Sequence, residues 1–183
     1  MLVNYLRKNL MRSVALLSVL TLLSGCSLVE RIGNKPYVFP HEGEPASSLM
    51  VNYAPGSGIA VYNMDENGCF AGTSAIGPSG TTVMVHANKE LFMAAETRSA
   101  NSFCSVMFSF TPETDARYVL YQGIRLEKAT GALGFLSPSD VYCTVSGERI
   151  LSTGGKESLV LKKMNLRPSG LACLKMREVA DKK

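Results

Sequence analysis

The chain has 183 residues, 46% of them hydrophobic and 19% charged, with a formal net charge of +4. Three of its 19 Lys and Arg residues and none of its 15 Asp and Glu residues lie in the first 25 positions, so the remaining 158 residues set 16 basic groups against 15 acidic ones. That is the size of one domain with a sizeable core, and its near-neutral charge gives no electrostatic case for a nucleic-acid partner.

Arg7, Lys8 and Arg12 precede an apolar run from Val14 to Leu23, which ends in Leu23-Ser24-Gly25-Cys26. The run is ten residues long, half of the roughly 20 that a membrane-spanning helix needs. A basic start, an apolar middle and a small-residue exit describe a secretory signal over residues 1–25, beginning at Met1 or at Met11. The cysteine directly after Gly25 makes this segment resemble the signal of bacterial lipoproteins. The resemblance implies cleavage between Gly25 and Cys26, a lipid on the Cys26 thiol and an acylated new amino terminus. Two or more acyl chains anchor stably, at about 0.8 kcal/mol per buried methylene. Ser27 stands where relatives kept at the inner membrane tend to carry aspartate, so the expected site is the outer membrane, facing the periplasm. The covalent lipid on Cys26 is the one attached group expected, with no cofactor.

Residues 26–56 read as the lipidated cysteine and a flexible tether, because Pro36, Pro40, Pro45 and Pro55 and the glycines between them argue against regular structure. Tyr37, Val38, Phe39 and Leu49 remain able to dock on the domain. From residue 57 to 183 the pattern is one of strands. Cys104, Val106, Phe108 and Phe110 alternate with Ser105 and Ser109, although Phe103 and Met107 share the serine face. Val141, Cys143 and Val145 alternate with Tyr142 and Thr144. Shorter versions occur at Ile59/Val61, Val83/Val85, Tyr118/Leu120, Ile124/Leu126 and Leu159/Leu161, and Leu91–Ala95 is a continuous apolar run suited to a strand covered on both faces or to a helical turn. Asn67-Gly68, Pro78-Ser79-Gly80 and Gly154-Gly155 punctuate these runs as turns. Ser169 caps an expected short helix over Leu171–Ala180. The expectation is a mainly β fold: a single antiparallel β-sandwich or barrel-like domain with a short C-terminal helix, preceded by a signal peptide and a tether.

Phe108-Ser109-Phe110-Thr111-Pro112-Glu113, followed by Arg117-Tyr118-Val119-Leu120, resembles a pattern in small β-sandwich domains of uncharacterised bacterial lipoproteins, in which a strand ends, the chain turns and an aromatic opens the next strand. Gly58-Ile59-Ala60-Val61-Tyr62 resembles their first strand. The resemblance covers residues 57–122, departs at Asp115-Ala116 where the family has glycine, and brings no catalytic residue.

Besides Cys26, the chain holds Cys69, Cys104, Cys143 and Cys173. An even count in an oxidising compartment points to two disulfides in one of three connectivities. Sequential pairing, Cys69–Cys104 with Cys143–Cys173, is the preferred one; buried free thiols and zinc are the alternatives, zinc being poorly served because no Cys-x-x-Cys pair is present.

The residues that carry chemistry are sparse. His41 falls in the tether and His86 ends a strand, pointing opposite to Val83 and Val85. No serine stands in a Gly-x-Ser-x-Gly setting. Gly154-Gly155-Lys156 lacks the glycine and hydroxyl residue of a phosphate loop, since Ile150 and Glu157 occupy those positions. Asp65 and Glu66 beside Asn67-Gly68, and Glu113 with Asp115, read as turn polarity. Tyr121 and Tyr142 fall on outward faces, where exposed aromatics can bind a partner. The functional expectation is a non-enzymatic, lipid-anchored envelope protein at the outer membrane, a structural, adaptor or binding component with an envelope protein as partner and no nucleic acid. The alternative is a periplasmic binding, inhibitor or immunity module for a small ligand or secreted effector.

Overall fold

The computed structural model describes residues 35–99, 102–127, 140–170 and 172–180; residues 1–25, read as a signal, and Cys26 lie outside them. Those residues form strands and no helix: β1 Ala46–Asn52, β2 Ser57–Met64, β3 Phe70–Ala75, β4 Thr82–His86, β5 Leu91–Ser99, β6 Ser102–Phe110, β7 Arg117–Glu127, β8 Asp140–Ile150, β9 Lys156–Ser158, β10 Lys162–Pro168 and β11 Leu174–Glu178. They make two sheets, ordered β4-β1-β7-β8-β9 and β11-β10-β6-β5-β2-β3.

The period-two runs place their apolar residues in one core that both sheets share. The five-stranded sheet contributes Leu49, Val51, Val85, Tyr118 and Leu120; the six-stranded sheet contributes Ile59, Val61, Leu91, Met93, Ala95, Phe108 and Phe110. Each buried Leu, Ile, Phe or Met stabilises the fold by about 1.5–3 kcal/mol relative to exposure. Neighbouring strands are antiparallel except β1 and β7, which run parallel with Leu49 beside Tyr118 and Val51 beside Leu120. The expected all-antiparallel arrangement is corrected at this pair. Parallel pairing needs a long crossover, and the chain supplies it by building much of the second sheet between β1 and β7.

The six-stranded sheet curls until its edge strands β3 and β11 touch. This explains why alternation along β6 is unclean. Residues on the face opposite the shared core, namely Tyr62, Ala94, Ser109 and Met164, are buried as well. Ser109, expected outside, is fully enclosed and donates to Glu90 Oε1 at 2.8 Å. The run Leu91–Ala95 is covered on both faces, as its composition suggested.

Three further expectations are corrected. The C-terminal helix is absent: Leu174–Glu178 is an edge strand paired in register with β10, Met164 opposite Glu178 and Pro168 opposite Leu174. The turn before it uses Gly170 at φ 97°, a conformation open to glycine. The stretch read as tether contains β1, with Leu49 and Val51 fully buried. The cysteines pair as Cys69–Cys173 and Cys104–Cys143, with Cα–Cα distances of 5.2 and 5.5 Å. Sequential pairing fails because topology decides proximity. Cys69 precedes β3 and Cys173 precedes β11, the two edges that meet, whereas Cys104 on β6 and Cys143 on β8 join one sheet to the other.

Candidate functional site: a cavity beneath the N-terminal strap

Residues 35–40 run as a strap from the edge of one sheet to the edge of the other. The Lys35 amide donates to Ala71 O on β3 at 2.9 Å. Asn63 Nδ2 donates to the carbonyls of Lys35 and Pro36, each at 3.2 Å, and Ser74 Oγ donates to Tyr37 O at 3.2 Å. Prolines 36 and 40 supply no amide to this ladder, so side chains make most of the bonds. On the far side the His86 amide donates to the Tyr37 hydroxyl at 3.3 Å, and His86 Nε2 lies 3.1 Å from Val38 O. Tyr37 packs on the core and meets the Phe39 and His86 rings edge-on, with centroids 5.2 and 5.9 Å away. The docking that the sequence left open for Tyr37 and Leu49 is realised at both.

Under the strap lies a cavity of about 260 Å³, bounded by Tyr37 and Val38 of the strap, the end of β2 from Tyr62 to Met64, His86, and Lys89 to Phe92. Its walls combine Met64, Leu91 and Phe92 with two phenols, an ammonium, an imidazole and a carboxylate. Burial raises the pKa of both Tyr37 and Tyr62. The hydrogen bond from the His86 amide partly opposes this at Tyr37, and the Glu96 charge adds to it at Tyr62. Both therefore remain neutral hydroxyl donors through the physiological range. His86 Nδ1 is 3.8 Å from Glu44.

A second hollow of about 290 Å³ lies on the curled face of the six-stranded sheet, floored by Gly58, Ala60, Ala75 and Ala94 and rimmed by Glu96 and Arg98. A Cβ built on Gly58 would meet nothing within 4 Å. Arg98 is paired with Glu96 at 3.7 Å and stands 5.3 Å over the Phe103 ring.

Of the chemistry-bearing candidates weighed in the sequence, His86 alone lines the cavity beneath the strap. His41 is exposed and its amide is bonded to Glu44. Asp65 Oδ1 accepts the amides of Asn67 and Cys69 at 2.9 and 2.8 Å, an Asx turn. Glu113 is held by Arg149, and Asp115 sits at φ 59° in the turn before β7. Leu151, Gly154 and Gly155 close a backbone turn, and Lys156 reaches Glu148 at 2.8 Å. Tyr142 is exposed; Tyr121 donates to Glu148 at 3.1 Å. Among the described residues no cluster of three His, Cys, Asp or Glu side chains could hold a metal ion, and none of the helices that cross membranes is found. Tyr62, Lys89 and Glu90 gave no signal as site residues in the sequence, and Tyr37 gave one for docking alone, because the four converge from three separate segments. No family model, curated protein or solved structure matches the chain.

Proposed function

We propose that this chain is an exported bacterial lipoprotein, anchored through Cys26 to the outer membrane and facing the periplasm, whose body binds rather than catalyses. We read its two sheets as the layers of a β-sandwich, the larger one curled toward a barrel. The observation that carries the reading is the cysteine pairing. The four cysteines of the body pair with one another, which suits an oxidising compartment and leaves Cys26 as the single cysteine without a partner in the body. Its position directly after Leu23-Ser24-Gly25 supports acylation. The cavity beneath the strap favours a small-ligand role over a purely structural one, because apolar walls and a few convergent polar groups are the usual make-up of a ligand site.

The test is membrane fractionation with intact mass measurement. The wild-type protein should sediment with membranes, begin at Cys26 and carry acyl mass, while Cys26→Ala should appear in a soluble fraction or accumulate unprocessed. Recovery of unacylated wild-type protein from the cytosol would overturn the reading.

A further inference from the structure

We infer that the cavity beneath the strap is a binding site for a small amphipathic anion, a short apolar body bearing one carboxylate, and that its occupancy holds the strap down. The inference rests on the reading of the chain as a binding protein and adds the ligand class and a coupling.

The charges around the cavity are unevenly committed. Glu90 accepts from Ser109 Oγ at 2.8 Å and lies 3.4 Å from Lys162. Glu44 is engaged by the His41 amide at 2.9 Å and by the His86 ring. Lys89 makes no ion pair or hydrogen bond among the described residues. The Tyr37 hydroxyl accepts the His86 amide, and neither its own proton nor that of Tyr62 is donated to any described residue. The uncommitted charge of the cavity is therefore the Lys89 ammonium, since the Glu90 carboxylate faces Lys162 through Oε1, and two phenolic protons stand with it. A carboxylate accepts from all three kinds of group and pairs with Lys89. A cationic ligand would have to share the Glu90 carboxylate, whose Oε1 already faces Ser109 and Lys162, with the Lys162 ammonium while lying beside the unpaired charge of Lys89. Leu91, Phe92 and Met64 supply the apolar wall for the body of the ligand, and a volume of about 260 Å³ lies just below the range of drug-sized pockets, which limits that body to a small ring or short chain.

The coupling follows from the roof. Tyr37 and Val38 belong both to the strap and to the cavity lining, so a ligand in contact with them binds the docked strap in preference to the released one. A ligand that favours one state shifts the equilibrium toward it.

Protein purified as the cell processes it, in a neutral maltoside detergent, is titrated by calorimetry with 3-phenylpropionate, 3-phenylpropylamine and 3-phenylpropanol. The acid should bind at least tenfold more tightly than the amine or the alcohol. Lys89→Met, a change at an exposed position, should weaken the acid about tenfold and leave the alcohol unchanged, and Tyr62→Phe should weaken the acid severalfold. At ten times its dissociation constant the acid should slow hydrogen exchange at the Lys35 amide about tenfold, a readout that a merely folded but empty cavity would not give. Equal or tighter binding of the amine or alcohol, an unaltered Lys89→Met, or no binding of the acid overturns the ligand class. Unchanged exchange at Lys35 overturns the coupling. The mass at Cys26 is read separately: a failed titration on acylated protein sinks the ligand class alone, and tight acid binding by unacylated protein sinks the anchor alone.

Discussion

The hydroxyl of Tyr118 accepts the amide proton of Glu113 at 3.0 Å, so the second residue of β7 also closes the turn that delivers the strand. The same turn is held from a second side, where Ser47 Oγ donates to Glu113 O at 2.5 Å. Arg149 grips the Glu113 carboxylate through two hydrogen bonds of 2.9 and 2.6 Å. The ring of Tyr118 packs on Phe110 with centroids 5.2 Å apart. Tyr118→Phe keeps the ring and removes the acceptor, leaving the Glu113 amide without its partner. The expected cost is about 1–2 kcal/mol, read as a lower urea midpoint with an unchanged slope; no shift would mean that water replaces the bond freely.

A different asymmetry lies deeper. Gln122 on β7 donates from Nε2 to Thr97 Oγ1 on β5, across the space between the sheets, while its Oε1 is buried without a partner. Thr97 Oγ1 also shares a hydrogen bond with Ser57 Oγ at 2.9 Å. Thr97→Val therefore strands the Gln122 amide and should cost about 1–3 kcal/mol, whereas Gln122→Met removes an unsatisfied acceptor and should change stability by less than about 1 kcal/mol. Equal losses in chemical denaturation would contradict this.

The two disulfides close loops of different length, with sequence separations of 104 and 39. On the chain-entropy account the longer contributes about 4.7 kcal/mol and the shorter about 4 kcal/mol. Alanine pairs at Cys69/Cys173 and at Cys104/Cys143 should both lower the denaturation midpoint, the first slightly more. Peptide mapping without reduction checks the connectivity directly, and a Cys69–Cys104 peptide would refute it.

Glu148 on β8 accepts from Lys156 Nζ at 2.8 Å and from Tyr121 at 3.1 Å. The hydrogen bond from Lys156 is the main cause that lowers its pKa from 4.5. A carboxyl whose pKa falls on folding contributes stability above its unfolded value and loses it as the pH drops through the lowered one. The contribution should be present at neutral pH and fade below about pH 4.5. In Lys156→Met the acid branch of the stability profile should flatten, and added salt should reduce the difference between the two proteins.

How much of this was legible depended on whether the signal was local. β6 and β8 were readable because Val106, Phe108 and Phe110, and Cys143 and Val145, recur with period two. β1 carries the same alternation, Leu49 and Val51 against Ser48 and Met50, but the surrounding prolines outweighed it. In β11, Leu174 and Met176 alternate with Lys175 and Arg177, yet these are good helix formers. Propensity is a weak prior, and pairing with β10 beside the Cys69–Cys173 bond overrides it. The disulfide partners and the cavity were beyond reach for one reason. Cys69 meets Cys173, and Tyr37, Tyr62 and Lys89 come to line one cavity, only once the larger sheet has curled and the strap has crossed from one sheet edge to the other.

The docked strap also sets a leash. With Lys35 fastened to β3, eight residues separate it from Cys26, so the two lie at most roughly 30 Å apart along the chain. A body of this size measures about 40 Å across. An acylated Cys26 would thus moor the body at less than its own width, rolling against the lipid headgroups rather than floating free, and whatever docks on it would have to meet it at the bilayer surface.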